Sequence, residues 1–317
     1  MTGLPPGISV VVPVYESRDS LGSLARAVSE AMSSIGVPWE LVLVDDASTD
    51  GSWGAIRKLS EAGPRIRGIR LARNSGQHNA LLCGIRAAHF SVTVTLDDDL
   101  QNPPSEIPRL LAKLEEGFDV VYGSPDRERH GLPRDMASKL TKAVLQRSMG
   151  VATASRVSAF RAFRTALRDS FVSHGGPYCS IDVLLTWGTR SFGAVTVRHE
   201  PRRIGRSHYT FGRLFTHAFN MITGFSTIPL EVASMAGFAF MIFGVGVLLY
   251  VLFRYFENGG SVPGFPFLAS IISIFSGVQL FSLGVIGEYI ARMHFRLMGI
   301  PGYTAVEDTG GEGWSAE

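Results

Sequence analysis

The chain has 317 residues and a formal net charge of +2, a length that fits one large domain or one medium domain with an appendage. The near-neutral charge gives no electrostatic reason to expect nucleic acid as a partner. Cys83 and Cys179 form no C-x-x-C pair, which argues against a zinc site or a disulfide framework. Only four of the 30 Lys and Arg residues are lysines, a skew that hints at a high-GC bacterial genome.

Short apolar runs alternate with helix-like stretches in the first third of the chain. The pattern predicts four strands, at Ile8–Tyr15, Glu40–Asp46, Arg65–Ala72 and Ser91–Asp99. Strands that alternate with helices at this spacing argue for βαβ units and a mainly parallel sheet. The strands are apolar throughout rather than alternating, as expected when helices cover both faces. The sequence therefore predicts an α/β fold for this region.

Polar side chains follow the carboxyl ends of these strands, where open α/β sheets bind their ligands. They are Tyr15, Asp45, Asp46, Asn74 and Asp97 to Asp99. In the segment Thr95–Pro104, clustered carboxylates repel one another unless a cation neutralises them. Such hard oxygen ligands suit Mg²⁺ or Mn²⁺ shared with a diphosphate. The alternative interpretation is a solvated acidic turn that caps the helix starting near Pro104.

Two long uncharged runs follow, at 232–253 and 265–287. Each is long enough to cross a hydrocarbon core of roughly 30 Å, so residues 230–296 are predicted to form a transmembrane hairpin. The alternative is a buried hairpin in a soluble domain. Before it, apolar residues recur at helical spacing among polar ones in segment 207–229, which predicts an amphipathic interfacial helix or a domain-packing helix. The Gly-rich, acidic residues 297–317 are predicted to be a flexible tail.

Positive charge flanks the outer ends of the two runs. The arginines are Arg202, Arg203, Arg206 and Arg213 before the pair, and Arg292 and Arg296 after it. By the positive-inside rule, this asymmetry places both termini in the cytoplasm.

Four segments occur in a fixed order: VPVYES, VDDASTDGS, RNSGQHNALLCGI and LDDDLQNPP. Together they resemble the family-2 inverting glycosyltransferases with a GT-A fold. The two apolar runs narrow the resemblance to the polyprenyl-phosphate glycosyltransferases, such as dolichol-phosphate mannosyl synthases and bactoprenol glucosyltransferases. The resemblance implies a GT-A domain over residues 1–206 that moves a sugar from a nucleotide-sugar to a polyprenyl phosphate. It also implies a multi-pass protein of the bacterial plasma membrane, with the catalytic domain in the cytoplasm.

The resemblance assigns the donor site residue by residue. Nucleotide-sugar binding is expected of Pro13, Tyr15, Glu16, Asp46, Gly76, Asp97, Asp98 and Gln101. Bound Mg²⁺ or Mn²⁺ is expected at Asp97, Asp99 and Gln101, with Asp99 as the direct ligand. The catalytic set is Asp97, Asp99 and Arg202. Arg202 opens RRIGRSHY, which resembles the family's diphosphate clamp R-x-x-G-x-S-K with His208 in place of Lys.

The acceptor phosphate is expected to contact Arg127, Arg134 and Ser138. Arg134 and Ser138 are four positions apart, which puts them on one side of a helix. Arg127 is a looser match, because Pro125 holds the position where relatives carry Arg. The alternative interpretation of the segment around Arg127 and Arg129 is a flexible charged loop.

Ala159 marks a departure from the bactoprenol branch, which carries an Asp at this position of its Asp-Phe-Arg element. Asp182 is left with two interpretations, as a residue of the sugar pocket or as a helix N-cap.

The sequence allows two other functions to be considered against this resemblance. A processive polysaccharide synthase is disfavoured, because its Q-x-x-R-W element is missing; Trp187 follows Leu-Leu-Thr. A non-catalytic nucleotide-binding membrane scaffold is disfavoured by the intact Asp97, Asp99 and Gln101. The sequence leaves the oligomeric state open, with a homo-oligomer as one option.

Overall fold

The computed structural model describes residues 6–125, 156–175, 179–200, 228–257 and 264–310. The described residues fall into two compact units. The first combines residues up to 200 with residues 299–310, and the second comprises residues 228–257 and 264–298.

The first unit is built on a mixed sheet with the strand order β7-β5-β6-β4-β1-β2-β3-β8. The strands are β1 Ile8–Val14, β2 Trp39–Asp45, β3 Ile66–Leu71, β4 Val92–Thr95, β5 Val120–Ser124, β6 Arg161–Arg164, β7 Phe192–Thr196 and β8 Ala305–Asp308. The pairs β1–β2, β1–β4, β2–β3 and β5–β7 are parallel. The pairs β3–β8, β4–β6 and β5–β6 are antiparallel. The predicted α/β fold with a mainly parallel sheet is confirmed.

Helices alternate with the first strands as the sequence predicts. In the described part of the chain they are α1 Arg18–Ile35, α2 Ser52–Ala62, α3 Gln77–Ala87, α4 Ile107–Glu115, α5 Ile181–Gly188, α6 Ile228–Glu257 and α7 Phe265–Leu297. Short 3-10 helices cover Pro104–Glu106 and Thr165–Phe171.

Strand β1 lies near the middle of the sheet and is buried along its whole length. Helix α3 packs closely on it, because a Cβ at Gly84 would come within 2.4 Å of Val11 Cγ1 and 3.0 Å of Val44 Cγ2. Glycine at this position therefore allows the helix to approach the sheet, and larger residues would push it away. The fourth strand ends at Thr95, earlier than predicted, so the acids that follow belong to a loop.

The prediction that residues 297–317 form a flexible tail is wrong for residues 305–308, which form β8 beside β3. Arg67 donates two hydrogen bonds to Asp308, from Nε at 2.9 Å and from Nη2 at 2.6 Å. Glu307 accepts a bond from Arg70 at 3.0 Å and one from the Trp53 indole at 3.1 Å. The acidic composition that suggested a solvated tail instead complements two arginines on β3.

The second unit is a pair of helices, each long and apolar enough to cross a membrane, at Leu230–Arg254 and Ile274–Ala291. Large apolar side chains such as Phe238 and Leu280 are well over half exposed, which differs from the buried core helix of a soluble protein. The helices contact each other through Phe240 and Phe275, whose ring centroids lie 5.8 Å apart.

The helices are longer than the runs predicted at 232–253 and 265–287. Helix α6 begins at Ile228, so the last two residues of the predicted interfacial segment 207–229 belong to it. Helix α7 continues to Leu297. The rest of the interfacial segment lies outside the described residues, and its helical character stays a prediction.

We predict that Asp308→Asn loosens β8. Burial alone would raise the pKa of Asp308, but the bonds from Arg67 and from the Gly310 amide lower it overall. A carboxylate with a lowered pKa stabilises the fold above its unfolded pKa of about 3.9, and this stabilisation is lost as the pH falls through the folded pKa. The bidentate pair should contribute about 1.5–3 kcal/mol at neutral pH.

The measurement is amide hydrogen exchange of the segments containing β3 and β8, together with thermal unfolding, in the detergent-solubilised protein. Exchange should be faster in the variant at pH 7, and the difference in stability should begin to shrink below about pH 4 and vanish only below the lowered folded pKa of Asp308. Exchange equal to that of the wild type at pH 7 would show that the pair does not hold β8.

Candidate active site

Three loops after β1, β2 and β4 meet at the carboxyl edge of the parallel strands. Each contains one residue in the left-handed region: Glu16 at φ 53°, Ala47 at φ 57° and Leu100 at φ 59°. These are the non-glycine residues with positive φ in the described part of the chain. The conformation costs about 1–2 kcal/mol for an L-residue. Such strain clusters at functional sites, where the surrounding structure over-determines it.

The loops after β1 and β2 are joined through Glu16. Its carboxylate Oε1 accepts hydrogen bonds from the Thr49 amide at 2.8 Å and the Thr49 hydroxyl at 2.9 Å. Its own amide donates to the Ser48 hydroxyl at 3.0 Å. Pro13 is buried within β1, whereas the Tyr15 side chain is exposed. Tyr15 thus offers a ring at the edge, and Glu16 fixes the loop that presents it.

The carboxylate of Asp46 links the β2 loop to the start of α3. Its two oxygens accept hydrogen bonds from the Ser75 amide at 2.6 Å and the Gly76 amide at 2.8 Å. Burial raises the pKa of Asp46, although these two bonds oppose the rise. Gly76 has φ 87°, a conformation that favours glycine, and it is the N-cap of α3. The predicted donor residues Asp46 and Gly76 are therefore in direct contact.

The acidic loop, defined here as residues 96–103, brings the predicted metal ligands next to the other two loops. Gln77 Nε2 donates to Asp97 at 2.6 Å, and the Tyr15 amide lies 3.4 Å from Asp98 Oδ2. Asp99 Oδ1 accepts a bond from the Gln101 amide at 3.1 Å. Burial raises the pKa of Asp98, although hydrogen bonds from the Ser17 side chain and the Tyr15 amide oppose the rise.

The donor set of the acidic loop fits a divalent cation that is shared with a substrate. Within the described ranges, no group of three or more His, Cys, Asp or Glu side chains is arranged as a complete metal cage. Mg²⁺ does not require one, since it is held by one or two carboxylates together with substrate phosphates and water. Asp97 and Asp99, with the amide oxygen of Gln101, provide hard oxygen ligands of that kind.

A buried ion pair near the same edge was not predicted from the sequence. Arg161 on β6 pairs through Nη1 with the carboxylate of Asp182, which also accepts a 3.0 Å bond from the Tyr122 hydroxyl. The Arg161 side chain is only 2% exposed. Burial raises the pKa of Tyr122 well above its usual value, and the Asp182 charge adds to this. The sequence signal was an Arg between the apolar residues of SAFRAF.

The start of α5 excludes one of the two interpretations of Asp182. The N-cap of α5 is Ser180, so Asp182 is not the cap residue. Its place in a sugar pocket stays a prediction. Ala159 contributes its carbonyl oxygen, which accepts a 2.8 Å bond from the Thr95 hydroxyl.

Several predicted site residues lie outside the described residues. They are Arg127, Arg134, Ser138 and Arg202. The described residues therefore include the predicted donor residues from Pro13 to Gln101, and the acceptor assignments stay predictions.

Comparison with known proteins agrees with this arrangement. The family model described as Glycosyl transferase family 2 matches residues 9–174, a little over half of the chain. The chain belongs to this family. The match runs from the second residue of β1 through β6 and includes the loops after β1, β2 and β4 described above.

Curated relatives extend the similarity through the helical unit. The undecaprenyl-phosphate 4-deoxy-4-formamido-L-arabinose transferases of Salmonella paratyphi B and Salmonella newport are each 36% identical over 299 residues. The alignment covers 93% of this chain and 91% of each relative.

Solved structures share the fold at low sequence identity. Glucosyl-3-phosphoglycerate synthase from Mycobacterium tuberculosis, in complex with phosphoglyceric acid, has a TM-score of 0.51 at 18% identity. The same enzyme with Mn²⁺, uridine diphosphate and glucosyl-3-phosphoglycerate has a TM-score of 0.50 at 20% identity. Each match covers 69% of this chain and 78% of the other. The catalytic unit of this glycosyltransferase therefore has the GT-A fold.

We predict that Arg161→Gln is strongly destabilising, because it leaves the Asp182 carboxylate buried without its cation. Breaking a buried pair costs about 3–5 kcal/mol. Arg164→Gln is the matched control on the same strand, since it removes only an exposed pair with Asp119 worth about 0–1 kcal/mol. Thermal unfolding of both variants in detergent measures the difference. Equal melting temperatures for the two would contradict a structural role for the Arg161–Asp182 pair.

Proposed function

We propose that this glycosyltransferase moves a sugar from a nucleotide-sugar donor to a polyprenyl phosphate, with inversion at the anomeric carbon. The observation that carries the proposal is the 36% identity to undecaprenyl-phosphate sugar transferases over 93% of the chain. That alignment is too long to be confined to the GT-A unit, so it includes the helices that are apolar enough to reach a lipid acceptor. The family match alone supports sugar transfer; the relatives support the acceptor.

The donor is proposed to bind at the carboxyl edge, with its nucleotide between Tyr15 and the Asp46–Gly76 contact. Both are placed by loops that hydrogen bonds hold in strained conformations, so the site is organised before the donor arrives. The diphosphate then lies over the acidic loop, beside Asp97 and Asp99.

A divalent ion, Mg²⁺ or Mn²⁺, is proposed at the acidic loop. When bound, it would neutralise the charge that develops on the departing nucleoside diphosphate. Asp97, Asp99 and Gln101 would hold it, and the related synthase crystallised with Mn²⁺ and uridine diphosphate supports this choice. Arg202 is proposed to contribute positive charge at the diphosphate.

The acceptor phosphate supplies the nucleophile in this proposal. A phosphate monoester has a second pKa of about 6, so it is largely dianionic at pH 7. Its oxygen attacks the anomeric carbon as the bond to the diphosphate breaks, and no proton has to be removed first. Ala159 in place of the acid of the bactoprenol branch is compatible with such a mechanism, because positioning and charge stabilisation matter more than a general base. Arg127, Arg134 and Ser138 are proposed to hold this phosphate.

The reaction is proposed at the cytoplasmic face of the bacterial plasma membrane. Two features support this orientation. Arginines flank both outer ends of the helix pair, as the positive-inside rule requires for cytoplasmic ends. Strand β8 follows the helices yet pairs with β3, so the chain must return to the side of the membrane on which the sheet lies.

The deciding experiment incubates membranes from cells that express the protein with polyprenyl phosphate and a panel of radiolabelled nucleotide-sugars. The panel includes the nucleotide derivative of 4-deoxy-4-formamido-L-arabinose. Label should pass into the organic phase only when donor, divalent metal and acceptor are all present. Donor hydrolysis or polymer formation without a labelled lipid would refute the proposed acceptor.

Asp99→Ala is predicted to abolish transfer while leaving the fold intact. The substitution removes the proposed direct metal ligand, and a partly exposed acid in a loop contributes little to packing. Initial rates across a Mn²⁺ titration, with thermal unfolding in parallel, measure both effects. Asp169→Ala, which removes an exposed acid from a 3-10 helix, is the control. Near-normal turnover by a folded Asp99→Ala protein would refute the metal assignment.

Arg134→Ala is predicted to weaken use of the acceptor more than use of the donor. A charge-assisted contact to phosphate is worth about 1.5–3 kcal/mol, so the acceptor KM should rise roughly 10- to 100-fold. Arg129→Ala, from the same basic segment, is the matched control and should change the acceptor KM much less. A rise confined to the donor KM would move Arg134 to the donor site.

A further inference from the structure

The chain segment after β7 lies along the acidic loop. We call residues 197–200 the strap. Its first residue donates from the Val197 amide to the Ser124 carbonyl at 3.0 Å, which continues the β5–β7 pairing. The amide of Glu200, the last residue of the strap, donates a hydrogen bond to the Gln101 carbonyl at 2.8 Å. Between them, His199 Nδ1 lies 3.3 Å from Asn102 Oδ1.

Glu106 ties the strap to the end of the acidic loop. This residue closes the 3-10 turn that follows the loop, and its side chain is only 3% exposed. Its carboxylate accepts a 2.6 Å bond from Arg198 Nε on the strap and a 2.9 Å bond from Arg109 Nη1 on α4. Burial would raise the pKa of Glu106, but the two arginines lower it overall, so the carboxylate is ionised at neutral pH.

The acidic loop needs support on both sides of Leu100, because this residue is held at φ 59°. A strained backbone conformation persists only where the surrounding structure over-determines it. On the N-terminal side, Asp98 faces the Tyr15 amide. On the C-terminal side, the Glu200–Gln101 bond supplies the support, and it comes from the strap.

We propose that Glu106 and Arg198 are positioning residues: their ion pair seats the strap, and the seated strap holds the acidic loop in its donor-binding conformation. The functional half of this inference rests on the proposed role of Asp97, Asp99 and Gln101 in holding the donor and its metal. The pair touches neither donor nor acceptor and acts only through the loop.

A contribution to folding stability does not explain the ion pair between Arg198 on the strap and Glu106. The Arg198 side chain is 74% exposed, and an ion pair with so exposed a partner adds little to the stability of a fold. Glu106 moreover keeps a second cation, Arg109, if Arg198 is removed. Arg198 can therefore be replaced without leaving a buried charge unpaired.

The test compares Arg198→Ala, Arg198→Lys and the matched control Arg109→Ala, which removes the other cation from the same carboxylate without touching the strap. Hydrogen exchange of the peptide covering residues 96–103 is measured on the metal-free, detergent-solubilised protein. Donor KM, acceptor KM and the Mn²⁺ concentration for half-maximal rate are measured on the same preparations.

Arg198→Ala should speed exchange in the acidic loop and raise the donor KM and the Mn²⁺ requirement about three- to tenfold. The acceptor KM and the melting temperature should stay at wild-type values, and Arg198→Lys should recover part of the loss. Arg109→Ala should match the wild type in all of these measurements.

Unchanged exchange in Arg198→Ala would overturn the inference, as would faster exchange with an unchanged donor KM. An equal effect of Arg109→Ala would also overturn it, because the effect would then belong to Glu106 and not to the strap. If the wild type transfers no sugar from any donor, the proposed function fails; the exchange comparison then still decides whether the strap holds the loop.

Discussion

The parallel alignment of β1 with β2 and β4 is the constraint on which the donor site depends. Because these strands run in one direction, the loops that follow them emerge at one edge, whatever their sequences. Because the strands are buried and paired with their neighbours, the positions at which the loops begin are fixed by the sheet. The loops then need only short-range hydrogen bonds to acquire a defined shape, such as those of Glu16 and Asp46.

The same constraint explains why strained residues are tolerated here. Glu16, Ala47 and Leu100 each follow a strand end that cannot move, so the backbone turns sharply within one or two residues. Each of these conformations costs about 1–2 kcal/mol, and the burial of β1 and its neighbours offsets this cost. A site organised in this way loses little entropy when a ligand binds.

Local sequence patterns were sufficient for the first four strands and for the position of the acids behind them. A short apolar run between two helical stretches can be recognised as a buried strand from its own residues, because apolar side chains are driven out of water. The ends were less certain, and the acids after Thr95 belong to a loop rather than to the strand predicted to reach Asp99.

Pairings between distant residues could not be read in the same way. Strand β8 has a short, acidic sequence with no apolar period, and it is a strand because Arg67 and Arg70 lie opposite it on β3. The Arg161–Asp182 pair likewise joins two segments that are individually uninformative. In both cases the available clue was an arginine within an otherwise apolar strand, which implies an acid elsewhere in the chain. The positions of Arg134 and Arg202 rest on family resemblance alone.

The position of β8 in the chain also determines when the sheet can be completed during synthesis. It is encoded after both apolar helices, so the sheet lacks one edge strand until the helices have been made. During that interval β3 would present unpaired backbone groups, a template for association with other chains. Arg67 and Arg70 disfavour such association, because side-by-side pairing of two copies of β3 would bring like charges together.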